Sequence, residues 1–492
     1  MKSTVIFSVK SQNSYAYDIK SKYLFYMHPI LCLIFQYEQY EKMRLKEIIL
    51  QENSISDVDF EYYYQKYEFL KDYGFFSEID SNILLEGRVT KEIIEKNLAN
   101  LNQLVFQVTS DCNLKCKYCC FGDLYNGSEI KTGYLDMNTV RSVFSFLIPY
   151  WKQRDSLTKN TINIGFYGGE PLLNISLIKE IVSCCEQLRG QEGIEFEYSM
   201  TTNATLLHRH IDYLVEHGFN ILISLDGNEY HDSYRLDRRN QPTFQRVFNN
   251  VKYIQGKYSV YFKENVYFNS VLTNRSSVEE VHDFIYKNFQ KYPIIEPVSI
   301  TDLKDSEMAS FEQISQRYEE SVELLWKRGD ISNIGKEIGR FFCYNLNNSY
   351  RHYADLLYID EESSIYKKIP TGTCLPFGKK MYITVSGKIM VCEKIAMSYI
   401  WGHTDTNDVF LDFEGIIQKY NAYFDKIRER CQKCYRFTTC PVCIFQLKLV
   451  SDEFMCPYSI SEDAFNEYLS NIVDVLEEDY LLFFKFNDLV FV

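Results

Sequence analysis

Between residues 104 and 305 the sequence alternates six strand-like stretches with helical ones, and this alternation limits the fold more than any other feature. The stretches are QLVFQVTSD, NTINIGFYGG, EFEYSMTTN, FNILISLDG, ENVYFNSVLTN and PIIEPVSIT. Segments such as SLIKEIVSCCEQL and HIDYLVEHG separate them with helical spacing. Six strands each followed by a helix predict an α/β fold with a parallel sheet, open or curled into a partial barrel. A chain of 492 residues exceeds what one hydrophobic core can organise, so further domains should flank this region.

Residues 1–82 place strand-like TVIFSV and YAYDIKSKYLFYM before helical HPILCLIFQYEQYEKM and DVDFEYYYQKYEFLKDYGFF, the last stopped by Gly74. This order predicts a small winged-helix-like module. A polar connector near 83–99 leads to the α/β region at 100–305. Residues 306–370 read as a helical bridge, with FEQISQRYEESVELLWKRG its clearest part, and 461–492 as a C-terminal helical segment. From 371 to 460 cysteines return and regular periodicity fades, as expected where metal ligation supplies the core. The 53 Lys and Arg against 67 Asp and Glu leave a formal net charge of −14, which argues against a nucleic-acid partner. The amino terminus lacks the apolar core of a secretory signal. The longest apolar run, LFYMHPILCLIF, is broken by His28 and Pro29, so no membrane span is expected. The chain reads as cytoplasmic, a compartment where thiols stay reduced, and its fifteen cysteines are then better metal or cluster ligands than disulfides.

The first strand of the α/β region runs directly into SDCNLKCKYCCFG, residues 110–122, with Cys112, Cys116 and Cys119 spaced C-x3-C-x2-C and Tyr118 before the last. A zinc knuckle needs a second pair or a histidine nearby, and none follows. Three close thiolates suit a [4Fe–4S] cluster with one iron open to a ligand. The loop resembles the signature of the radical S-adenosylmethionine (SAM) superfamily, which implies a partial (β/α)6 TIM-like barrel. Cys120 lies outside the spacing and reads as a packed or incidental thiol, while Cys32, Cys184 and Cys185 in apolar helical patterns read as core residues.

Further segments carry the resemblance along the chain. Gly168, Gly169 and Glu170 in FYGGEP resemble the element that holds the amino group of SAM. Thr202 and Asn203 in SMTTNAT resemble the fourth-strand contacts, although a strand-end turn explains them as well. SLDGNEYHDSYR, with Ser224, Asp226, His231, Asp232 and Arg235, resembles the S-x-D-G…H-D-x-x-R stretch in which serine and arginine hold the cofactor carboxylate; the loop is one residue shorter here. Downstream, Cys374-x12-Gly387-x4-Cys392, Cys431-x2-Cys434-x5-Cys440-x2-Cys443 and Cys456 resemble an iron–sulfur SPASM domain, with zinc ribbons as the other reading. The central group has two residues before Cys443 where the family has three. By resemblance, Cys374, Cys392 and Cys443 bind a first auxiliary cluster, and Cys431, Cys434, Cys440 and Cys456 a second. The first lacks a fourth protein ligand, which Cys343, another group or a substrate thiolate could supply.

The resemblance implies three [4Fe–4S] clusters and SAM, whose reductive cleavage yields a 5′-deoxyadenosyl radical that abstracts hydrogen. It further implies a flavodoxin- or ferredoxin-type electron donor. The amino-terminal module resembles the elements that bind a leader peptide by strand addition, with a structural cap on the barrel as the plainer reading. The function expected is therefore maturation of a ribosomally synthesised precursor peptide through a thioether or carbon–carbon crosslink. Auxiliary clusters suit this outcome, because joining two closed-shell groups removes two electrons in all. The alternatives are a sulfatase-type formylglycine maturase and a non-catalytic precursor-binding partner. Asp302, near the end of the last strand, is the candidate acid or base.

Overall fold

The computed structural model describes residues 2–52, 55–79, 85–126, 133–154, 161–316, 321, 341, 368–405 and 408–481. Three antiparallel strands come first: β1 (Thr4–Ser8), β2 (Ser14–Asp18) and β3 (Leu24–Met27), neighbours in that order. Side chains alternate across a strand, and here each face serves a different core. Ala16 and Met27 turn toward the helices Pro29–Gln36, Lys42–Glu52 and Asp57–Asp72, where Ile34, Leu45, Ile49 and Phe60 bury against them. Val5, Phe7 and Tyr17 join the main core of the molecule instead.

As the alternation predicts, β4 (Gln103–Thr109), β5 (Thr161–Gly168), β6 (Glu195–Thr202), β7 (Asn220–Ser224), β8 (Val266–Leu272) and β9 (Ile294–Pro297) pair in parallel and in sequence order. Helices in the connections, such as Met137–Trp151 and Ile175–Glu192, cover the sheet. Residues 104–109 of β4 are buried without interruption, as expected of a strand covered on both faces.

Beyond residue 371 regular structure does not fade. β10 (Lys380–Ile383) pairs in parallel with β4, and β11 (Lys388–Met390), β12 (Gly402–Thr404) and β13 (Val409–Leu411) extend the same sheet antiparallel to ten strands. A helix, Phe413–Gln432, buries Ile416, Tyr420, Phe424 and Ile427 behind them. These strands have three or four residues each, too few for a period to show. Likewise, the stretch read as a polar connector contains the helix Lys91–Ala99, capped by Thr90 and buried through Ile94 and Leu98. Its apolar residues are sparse among charged ones, which hid it.

The sheet is curled. Seven strand spacings of about 4.8 Å would set β9 roughly 34 Å from β11 in a flat sheet. Yet Lys394, just past β11, reaches Glu296 of β9 at 2.6 Å. The loops after the first and last parallel strands also meet, through hydrogen bonds from Asn126 N–H to the Asp302 carbonyl and from Lys304 N–H to the Leu124 carbonyl. Apart from residues 306–316, 321, 341 and 368–370, the helical bridge lies outside the described residues, and Cys343 with it. The helix Glu462–Glu478 packs on β1, with the rings of Phe465 and Tyr17 5.7 Å apart. No described helix is long and apolar enough to cross a membrane.

Candidate active site at the cysteine loop

β4 ends at Thr109 and the chain turns into the cysteine loop, which backbone contacts hold from two sides. On one side the N–H groups of Gly169 and Glu170 donate to the carbonyls of Thr109 and Asp111, at 3.0 and 2.9 Å. A Cβ on Gly168 would lie 2.0 Å from the Thr109 oxygen, and one on Gly169 2.2 Å from that of Asp111. The close approach that these glycines permit is therefore made by the loop's own backbone. On the other side Lys115 and Lys117 N–H donate to the carbonyls of Leu236 and Tyr234, at 2.7 and 3.1 Å. Arg238 Nε donates to the Cys112 carbonyl at 2.6 Å.

Cys112, Cys116 and Cys119 lie close enough to feel one another's charge. Burial pushes the Cys112 thiol up to about 11 and Cys116 to about 12, with Arg235 opposing the rise in both. Cys119 stands well above the usual thiol range, chiefly through its hydrogen bond with Cys120 and then through burial. Thiols held this way become thiolates when a metal takes the place of the protons. The loop thus fits three ligands of an iron–sulfur cluster.

Beside the loop, Glu170 is fully buried and accepts from Thr202 Oγ1 at 2.7 Å, Asn203 N–H at 2.8 Å and Leu172 N–H at 3.1 Å. Burial raises its pKa, and these donors oppose the rise. A carboxylate offers about four acceptor positions, so room remains for one further donor such as an ammonium. Asn203 joins strand end to loop: its Nδ2 lies 3.7 Å from Cys112 Sγ and 2.9 Å from Asn113 Oδ1, while Thr205 Oγ1 donates to its Oδ1 at 2.6 Å. Asn113 Nδ2 in turn donates to Thr205 Oγ1 at 2.7 Å.

Ser224 ends β7 with a half-buried side chain. Past it, Tyr118 Oη donates to Asp226 Oδ2, and Arg235 Nη1 donates to Tyr118 Oη at 2.9 Å. Val271 N–H donates to Asp226 Oδ1 at 2.9 Å, and Asp226 N–H to Asp232 Oδ1 at 3.2 Å. Arg235 Nε is 3.7 Å from Asp232 Oδ1 and, among the described residues, has no hydrogen-bond partner. His231 is buried against Gly227, whose absent side chain makes room for it. As found, Arg235 braces the aromatic residue of the cysteine motif. Asp302 has a left-handed φ of 63° beyond β9, and Asn126 Nδ2 donates to its Oδ1 at 3.3 Å.

The carboxyl-terminal cysteines form two groups. Cys431, Cys434, Cys440 and Cys456 line one cavity, together with Thr371, Arg430 and Arg436. The charges of Cys374, Cys392 and Cys443 all act on the buried Tyr420, whose hydroxyl has no hydrogen-bond partner among the described residues. Burial pushes Cys392 and Cys431 up to about 12 and Cys443 to about 11. Lys380 Nζ pairs with both oxygens of Glu393, at 2.9 and 3.1 Å, and Cys392 Sγ lies 3.6 Å from Glu393 Oε2. Burial works to raise the Glu393 carboxyl, but Lys380 outweighs it and the group stays below its ordinary value. Among the described residues no three His, Cys, Asp or Glu side chains converge to grip a single metal ion.

Sequence reasoning quoted the stretches that hold Asn113 and Thr205 without singling out either residue, and it missed Arg238; all three fix the loop. Only their nearness to the motifs could have flagged them.

Residues 106–285 match the model of the Radical SAM superfamily. Over 200 residues the chain is 30% identical to the cysteine-type anaerobic sulfatase-maturating enzyme of Clostridium novyi (strain NT). That match covers 39% of this chain and 49% of the relative, about half its length. The chain is 23% identical over 360 residues to the radical SAM cyclopropyl synthase TigE of Paramaledivibacter caminithermalis (strain DSM 15212 / CIP 107654 / DViRD3), covering 71% of this chain and 68% of that one. The solved structure of native anSMEcpe with bound AdoMet aligns at a TM-score of 0.50 and 19% identity, over 79% of this chain and all of that one. It shares the fold.

Proposed function

On the radical SAM domain of residues 106–285, we propose that this chain is a peptide maturase that removes a hydrogen atom from a ribosomally made precursor, leading to a thioether or carbon–carbon crosslink. The observation that carries the reading is the cysteine loop itself, pinned between the Gly168–Glu170 turn and residues 234–238, with Glu170, Asn203 and Arg235 gathered against it. A bound [4Fe–4S] cluster and SAM supply reductive cleavage and hydrogen-atom abstraction. Cys112, Cys116 and Cys119 would hold that cluster. Glu170, with Gly168 and Gly169 behind it, would receive the SAM ammonium, while Thr202, Asn203, Ser224, Asp226 and Arg235 orient the cofactor and keep the loop in place. Cys374, Cys392 and Cys443 would hold one auxiliary cluster, and the cavity of Cys431, Cys434, Cys440 and Cys456 the other. Asp302, where the first and last loops join, is the candidate acid or base.

Residues 1–82 are assigned to leader-peptide docking. β3 is an edge strand with Tyr26 exposed, as is Tyr23 just before it, and His28 beyond its end stacks on Tyr63 of the helix Asp57–Asp72 at 4.0 Å. An edge strand beside a helix suits strand addition. TigE, a cyclopropyl synthase, favours carbon–carbon bond formation by analogy. The second reading, formylglycine formation on a sulfatase, is supported by the 30% identity to the sulfatase-maturating enzyme.

Anaerobically purified protein should carry about twelve iron and twelve sulfide per chain, as three cubanes require. Replacing Cys112, Cys116 and Cys119 together by Ala should remove roughly a third of the iron and abolish SAM cleavage. Zinc in place of iron, or retained cleavage, overturns the assignment. Mass spectrometry of offered peptides separates the two readings. Loss of two hydrogens within a precursor supports crosslinking, and exchange of a Cys sulfur for an aldehyde oxygen in a sulfatase peptide supports the alternative.

A further inference from the structure

The outer face of the cysteine loop carries basic side chains, of which Arg238 alone enters the site described above. Residues 114–117 run beside 234–237, joined at the Leu114–Asp237 bridge and by the hydrogen bonds of Lys115 and Lys117. This pairing sets the segment of Lys115 and Lys117 beside the turn that carries Arg238 and Arg239. Arg246, in the first turn of the helix Phe244–Lys257, adds to it, since it and Arg239 both act on Asp237. All five basic side chains are exposed. Among the described residues, the acids seen against them are Asp237, engaged by the N–H groups of Arg239 and Gln241, and Asp123, 3.6 Å from Lys115. The patch is therefore positive in a chain with a formal net charge of −14, and the remaining surface is more acidic still. It also reaches the site directly, because Arg238 donates to the carbonyl of Cys112.

We propose that this basic face docks an acidic one-electron carrier protein of the flavodoxin or ferredoxin class. The inference rests on the radical SAM reading, which needs one electron from outside for each SAM cleaved. The carrier is oxidised by one electron, the centre held by Cys112, Cys116 and Cys119 is reduced by one, and no group is transferred. Charge decides the orientation: most of this chain repels an acidic protein, and the loop face attracts it.

The test uses the cluster-loaded protein and an Arg239→Glu/Arg246→Glu variant, with oxidised flavodoxin as the binding probe in calorimetry. At low salt the variant should bind about tenfold more weakly or worse, and wild-type binding should fade as salt screens the patch. The neutral Arg239→Gln/Arg246→Gln variant should fall between, which guards against a folding artefact. Flavodoxin-driven SAM cleavage should drop with binding, while dithionite-driven cleavage stays at the wild-type rate. Equal flavodoxin binding by wild type and variant overturns the docking site. So does loss of dithionite-driven cleavage in the variant, which would place these residues in the reaction itself. A single-stranded oligonucleotide that binds wild type and not the variant, with flavodoxin binding unchanged, would give the face to nucleic acid and overturn it as well. A wild-type protein that never cleaves SAM with dithionite strikes the radical SAM reading, a result distinct from each of these.

Discussion

Tyr420 buries a hydroxyl with no hydrogen-bond partner among the described residues, and the charges of three thiols act on it. An unsatisfied buried hydroxyl costs about 1–3 kcal/mol, which donation to a cluster sulfur would offset. Tyr420→Phe should leave the iron content unchanged and shift one auxiliary centre to a more negative midpoint potential, read by redox titration. An unmoved potential would show that the hydroxyl donates elsewhere. The Lys380–Glu393 pair invites a different test, since removing one partner strands a buried charge. Lys380→Met should cost about 3–5 kcal/mol in denaturant unfolding, and Lys380→Met/Glu393→Leu should recover most of it. The cysteines were legible in the sequence because their spacing along the chain is itself the signal. Asn113 was not, because its partner Thr205 is 92 positions away and no local pattern records the contact.

At the scale of elements, the turn after β5 and the loop after β4 are one unit. A methyl group at Gly169 would sit on the Asp111 carbonyl, one residue before Cys112. Gly169→Ala should therefore lower the iron of the first site, from about twelve toward about eight per chain, while the carboxyl-terminal groups keep theirs. Full iron in this variant would mean that the turn yields without moving the loop. β4 to β9 were readable because each is an apolar run followed by a helix, and parallel order then follows from right-handed crossovers. β10 to β13 were not, since their place beside β4 depends on a pairing across more than half the chain. Gly387, in a left-handed turn between β10 and β11, was legible only as part of a cysteine spacing.

For the whole molecule, the main core is shared between the ends of the chain. Phe465 is buried against Tyr17, Asp474 accepts from Lys10 N–H at 2.7 Å, and Ser470 Oγ donates to the Ser8 carbonyl at 2.7 Å. Deleting residues 1–82 would uncover this surface, so point changes on β3 test leader docking more cleanly. Phe465→Ala should cost about 3–5 kcal/mol and release the amino-terminal sheet to limited proteolysis. Protection equal to wild type would show that the sheet holds by other contacts. The same packing has a consequence during synthesis. Ser8 and Ser470 are 462 positions apart, and at 5–20 residues per second a ribosome needs roughly 20–90 s to cover that span. Throughout that interval β1 and β2 wait for the helix Glu462–Glu478 that packs on them, and the face carrying Val5, Phe7 and Tyr17 lacks that cover.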